Sequence, residues 1–92
     1  MELDSIFHQP VRTQIVALLI REGSADYTLI KKELEITDGH MSTHMKTLTE
    51  ADYVDVKKEF INNKPKTTYR MSSTGKKKFQ EYVKQLKALI SL

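Results

Sequence analysis

The sequence predicts a mainly α fold carrying one small β-hairpin, an α+β class in a single domain over residues 1–92. Three observations lead there. Apolar residues recur at helical spacing in four separate stretches, one stretch near residues 53–71 alternates apolar with polar, and the three Gly and two Pro all fall at element boundaries. At 92 residues there is material for one hydrophobic core and not for two.

Pro10 suits the first turn of a helix, and Ile15, Val16, Leu18 and Leu19 carry it to Arg21-Glu22, where Gly23 supplies a stop. Ile6 and Phe7 are expected to pack as a short preceding turn or helix. From Tyr27 to Glu35, Leu29, Ile30 and Leu34 fall at helical spacing, with Thr28 a candidate N-cap. A third helix, capped by Thr37 or Asp38, places Met41, Met45 and Leu48 on one face at i, i+4 and i+7 and ends near Ala51-Asp52. "YVDVKKEF" and "TTYRM" then read as two strands joined by "INNKPK", a hairpin with a long basic loop. Ser72 or Ser73 caps a last helix with a stripe of Phe79, Tyr82, Val83, Leu86, Leu89 and Ile90.

Composition narrows the function. Charged residues are 29% and hydrophobic residues 39%, the profile of a folded soluble domain. With no cysteine, disulfides and thiolate metal sites are excluded. The longest apolar run, Ile15 to Ile20, is far below the roughly 20 residues that span a bilayer, and the acidic start "MELDSIF" is unlike a signal peptide. The expectation is a cytoplasmic, unprocessed chain without a membrane partner. The net charge of +3 conceals an asymmetry: residues 1–56 hold five Lys/Arg against ten Asp/Glu, whereas residues 57–78 hold eight against Glu59 alone. Such a block points to a polyanionic partner. No nucleophile-base pair, paired acid site or phosphate-binding glycine loop stands out, so neither an enzyme nor a cofactor is expected.

Helices two and three, joined by the tight turn "EITDG", form a helix-turn-helix at about 28–52, followed by a wing at about 53–71 and a C-terminal helix at about 73–92. In this arrangement the second helix of the pair enters the major groove of double-stranded DNA while flanking elements grip phosphates. The segments "HQPVRTQIVALL", "TDGHMSTHMKTLTEADYVDV" and "KPKTTYRMSSTGKKKF" together resemble the small winged-helix transcriptional regulators of the MarR and ArsR type, and most closely the single-domain MarR-like group. The resemblance covers nearly the whole chain and implies a homodimer that binds pseudo-palindromic DNA as a repressor or regulator. It names no effector, operator or regulated gene.

Carried onto this sequence, the DNA-facing positions are Gly39 and His40 at the N-terminal end of helix three, and Ser42, Thr43, Lys46 and Thr47 opposite the Met41/Met45/Leu48 stripe. Lys64, Lys66 and Arg70 in the wing suit phosphate or minor-groove contact. Helix three has no arginine, so bidentate guanine reading is unavailable there, and Asp38 would repel phosphate unless it caps the helix or accepts from cytosine.

Other roles compete for some of these residues. His40 and His44 share a helix face and the spacing of a metal pair, which would make the protein a metal-responsive regulator with help from His8 or a carboxylate. The Glu of H-E-x-x-H is missing, so the pair reads first as helix surface, with His40, and less so His44, able to bond phosphate or a base edge. Met41, Met45 and Met71 read as core packing. Lys76, Lys77 and Lys78 read equally as a solvated helix start or a reach to a flanking phosphate. A last helix of about 20 residues would be about 30 Å long, more than one small domain can cover. Its stripe, helped by Leu3, Ile6 and Phe7, is therefore expected to form a dimer interface. A winged fold used only for protein interaction, without DNA, is the second alternative.

Overall fold

The computed structural model describes residues 2–91; residues 1 and 92 lie outside it, and with them the expected end of the last helix at 92. The chain runs α1 (Pro10–Glu22), β1 (Ala25–Asp26), α2 (Tyr27–Leu34), α3 (Asp38–Glu50), β2 (Val54–Ile61), β3 (Lys64–Met71) and α4 (Ser73–Ile90). Its antiparallel sheet has the order β1-β3-β2, with Ala25 opposite Tyr69 and Val54 opposite Met71.

Each helix begins on a side-chain cap that satisfies an otherwise orphaned backbone donor. Gln9 accepts from Arg12 N–H, Thr37 from His40 N–H and Ser72 from Gly75 N–H. At α2 the cap is Asp26, accepting from Leu29 N–H at 2.7 Å, and not the expected Thr28. The reason is β1, which is too short to leave a sequence pattern: pairing Ala25 and Asp26 with β3 holds Asp26 in the extended conformation a cap requires.

The hairpin differs from expectation more visibly. Its loop is two residues long, not a long basic excursion. Asn62 and Asn63 both take positive φ, 52° and 64°, the requirement of a two-residue type I′ turn. Lys64, Pro65 and Lys66 accordingly belong to β3, paired with Ile61, Phe60 and Glu59. Pro65 is tolerated because β1 pairs with β3 only at Thr68 and Tyr69, so no neighbour on that side needs its missing N–H.

The core is built from all four helices and the sheet. Phe7, Ile15, Val16, Leu19, Ile30, Met41 and Leu48 are fully buried. Phe7, expected to help a dimer interface, has no exposed surface at all. It stacks on Tyr53 at 4.7 Å, meets Phe79 edge-on at 5.1 Å and lies 5.7 Å from Tyr82. The residues around it latch the N-terminal arm: Tyr53 donates its hydroxyl to Asp4 at 2.6 Å, and His8 Nδ1 and the Tyr82 hydroxyl bond at 2.9 Å. Burial, then the Asp4 hydrogen bond, pushes the Tyr53 phenol up to about 12.

The stripe on α4 divides along the helix. Tyr82 is buried, Phe79, Val83 and Leu86 pack partly on the core, and Leu89 and Ile90 stand 55% and 81% exposed. Where α4 begins, Gly75 lies against the Tyr53 carbonyl, which accepts from Ser72 N–H at 3.0 Å. A Cβ on Gly75 would sit 2.0 Å from that oxygen. Gly75→Ala is therefore expected to lower stability by about 1–3 kcal/mol, as overpacking does, although alanine is the better helix former. Urea denaturation measures this, and an unchanged midpoint would contradict the tight seating of α4.

Candidate nucleic-acid interface

The orientation of α3 follows from its three buried side chains. Met41, Met45 and Leu48 are 0%, 4% and 0% exposed, so Gly39, His40, Ser42, Thr43 and Lys46 turn to solvent and Thr47 is half-buried. The threonine hydroxyls are partly occupied: Thr43 donates to the Gly39 carbonyl at 2.9 Å and Thr47 to the Thr43 carbonyl at 3.1 Å. Their oxygens keep acceptor capacity outward. Lys46 lies 3.9 Å from Glu50 in an exposed i, i+4 pair, a weak tie that solvent screens.

Asp38 is neither a cap nor free to meet a base. Its Oδ1 accepts from the Tyr27 hydroxyl at 2.8 Å and lies 3.0 Å from Lys31 Nζ. These partners, Tyr27 first and Lys31 second, hold its carboxyl below the usual carboxylate range. The repulsion of phosphate expected from Asp38 is thus offset by Lys31, and α2 is tied to the first turn of α3.

His44 turns inward from the exposed row. Arg12 Nη1 donates to its Nδ1 at 3.1 Å, which requires the neutral ring with the proton on Nε2. Arg12 also donates through Nε to the Ile6 carbonyl at 2.6 Å and through Nη2 to the Ser5 carbonyl at 3.3 Å. One guanidinium therefore joins the N-terminal arm, α1 and α3. The sequence carries no local signal for this pairing, because Arg12 and His44 are distant in the chain. Among the described residues no group of three His, Cys, Asp or Glu comes together to hold a metal ion.

The hairpin has two distinct faces. Directly opposed residues share a side of the sheet, so Val56, Lys58, Phe60, Pro65, Thr67 and Tyr69 lie on the face that carries Val54 and Met71 into the core. Lys64, Lys66 and Arg70 share the other face, with Lys57. There Arg70 stands opposite Asp55, Lys66 opposite Glu59, and Lys57 lies 3.6 Å from Glu59. Lys64 is opposite Ile61 and Lys58 opposite Thr67, so neither meets an acid across the strands.

Lys58 is a site residue that sequence reasoning does not single out. It contributes, with Tyr27, Ser42, Lys46, Val56 and Tyr69, to a cleft of about 210 Å³ between α3 and the sheet. The alternation of β2 is the signal that places it beside α3. The structure thus brings Ser42 and Lys46 together with Lys58, and sets Lys64, Lys66 and Arg70 on the opposite side of the wing.

A family model for the winged helix DNA-binding domain matches residues 11–90. The chain belongs to the winged helix DNA-binding domain family. It is 32% identical over 81 residues to the Methanocaldococcus jannaschii protein MJ0432, covering 88% of each chain. Among solved structures, a transcriptional regulator homologue from Pyrococcus horikoshii OT3 superposes with a TM-score of 0.85 at 28% identity, covering 92% of this chain and 84% of the other. HlyU from Vibrio cholerae N16961 shares the fold, with a TM-score of 0.70 at 23% identity over 88% of this chain and 83% of its own. The winged domain is a DNA-binding and not a catalytic one, and among the described residues no helix is long and apolar enough to cross a membrane.

Burial, then Arg12 and His40, lowers the His44 pKa below its ordinary 6.5. The folded state therefore binds this proton less well than the unfolded state. Its contribution to stability is fully present above pH 6.5 and is lost as pH falls through the lower folded value. His44→Asn should flatten the fall in melting temperature between neutral and mildly acidic pH, measured by circular dichroism. A variant with the parent's pH profile would exclude His44 as a source of that dependence.

Proposed function

We propose that the protein is a homodimeric transcriptional regulator, MarR-like and acting as a repressor in the cytoplasm, that binds double-stranded DNA sequence-specifically. The whole chain works as one domain. α3 lies in the major groove, where Ser42, Thr43, Lys46 and Thr47 read base edges and the Gly39-His40 end meets a phosphate. The wing rests on the backbone or in the minor groove through Lys64, Lys66 and Arg70, with Lys58 added on the α3 side. The observation that carries this reading is the rotation of α3: burying Met41, Met45 and Leu48 leaves a row of small polar residues and Lys46 outward beside a basic hairpin.

Dimerisation is supported by the end of α4. Leu89 and Ile90 are exposed, and an apolar groove of about 540 Å³ runs between α1 and α4 over Leu19, Ile20, Phe79 and Val83. Leu86 extends the same stripe, whereas the buried Tyr82 is left with little surface for a partner. Two recognition helices about 34 Å apart would meet successive turns of DNA.

Binding to duplexes selected from a random pool tests the DNA reading. Lys64→Ala with Lys66→Ala should reduce the slope of log K against log salt by about 0.9 for each phosphate no longer neutralised, with little change in preferred sequence. Thr43→Ala should change the preferred sequence and leave the slope intact. If no duplex is enriched, the protein-interaction alternative gains and this reading falls. For the dimer, Leu89→Glu is expected to give monomers by light scattering without loss of helicity; a persistent dimer would exclude this interface.

A further inference from the structure

Phe60 is the most exposed aromatic side chain among the described residues, at 78%, and it takes no part in the core. It stands one residue short of the Asn62-Asn63 turn, before Ile61, and opposite Pro65, so the last pair on the face turned toward α3 is apolar. That face, from Val54 to Phe60 and from Pro65 to Met71, contains Lys58 and no acidic residue. Lys64 and Lys66 flank Pro65 from the other side. Phe60 lies outside the hydrophobic core, yet the short turn keeps it paired near the end of the hairpin.

We propose that Phe60, backed by Pro65, is a wedge that enters the minor groove of bound DNA and unstacks a base step, bending the duplex. The inference rests on the reading that α3 and the wing bind DNA, and adds to it a bend and a residue that makes it. Apolar side chains inserted from the minor groove kink DNA in this way, while cations beside them meet the phosphates that wall the groove. The reach is suitable. Val56 lines the cleft beside Ser42 and Lys46, and Phe60 lies four residues further along β2, about 14 Å at 3.4 Å per residue. A minor groove is centred about half of a 34 Å turn, roughly 17 Å, from the neighbouring major groove, a span comparable with that reach. The apolar tip is also continuous, through Lys58, with the outward row of α3. A bend made here would be indirect readout, favouring flexible pyrimidine-purine steps that the protein does not contact by hydrogen bonds.

Duplexes selected by the wild-type protein, labelled at both ends for energy transfer, measure the bend directly. The wild type should bend them by about 20° or more. Phe60→Leu keeps an apolar wedge and should retain most of the bend. Phe60→Ala should abolish it and weaken binding by about fivefold or more, with the salt slope unchanged because the same phosphates stay neutralised. Its melting temperature should equal the wild type's, since the side chain lies outside the core. Equal bend and affinity for Phe60→Ala would overturn the wedge while leaving the DNA reading intact. Loss of binding to phosphatidylglycerol-containing vesicles by Phe60→Ala, with DNA bending intact, would assign the tip to a membrane surface instead. Failure to select any duplex would remove the reading on which the wedge rests, and the wedge with it.

Discussion

Burial of Met41, Met45 and Leu48 decides which way α3 faces, and the interface depends on that rotation. Burying each such side chain is worth about 1.5–3 kcal/mol. The exposed pairs, Lys46 with Glu50 within this helix and Lys31 of α2 with Asp38, are screened by solvent and contribute far less. Apolar burial therefore sets the orientation and the polar ties only refine it. A slip of one residue in this helix would turn its faces by about 100°, which would drive Ser42 or Lys46 into the core. Arg12 and the Asp38 contacts brace the same helix from the N-terminal arm and from α2, so its outward row is presented by a supported element and not by a free surface helix.

The wing adds a second constraint of a different kind. Because its turn has two residues, the strands remain paired to the tip and each side chain is committed to one face. Charge then separates. The face turned toward α3 has a lysine without an acid, and the opposite face has its cations interleaved with Asp55 and Glu59. The basic block of the sequence is thus not a uniform positive patch. Its unopposed cations, Lys58 and Lys64, lie on different sides of one thin hairpin, an arrangement suited to the two phosphate walls of a groove.

Much of this is legible in the sequence because it is local. Helical spacing places the buried faces of α1 and α3, and the Thr37 and Ser72 caps are read from residues next to the helices they start. The features that escape a sequence reading depend on partners far along the chain. Strand β1 exists only through pairing with Thr68 and Tyr69, and that pairing makes Asp26 rather than Thr28 the cap. Phe7 is buried by Tyr53, Phe79 and Tyr82, and Tyr82 is drawn from the expected partner-facing stripe into the same cluster. The short wing turn is obscured by Pro65, which reads as a breaker until its unpaired side is known. Of the candidate site, the row on α3 is readable from periodicity. The inward turn of His44 and the place of Lys58 require the tertiary structure.

The outward row of α3 and the wing should act as one DNA surface. Amide chemical shifts of the isotopically labelled protein, followed while a selected duplex is added, test this most directly. The largest changes should fall within residues 38–47 and 56–66, with the buried positions of α1 nearly unaffected. Changes confined to α4 and the α1–α4 groove, with α3 and the wing silent, would contradict it.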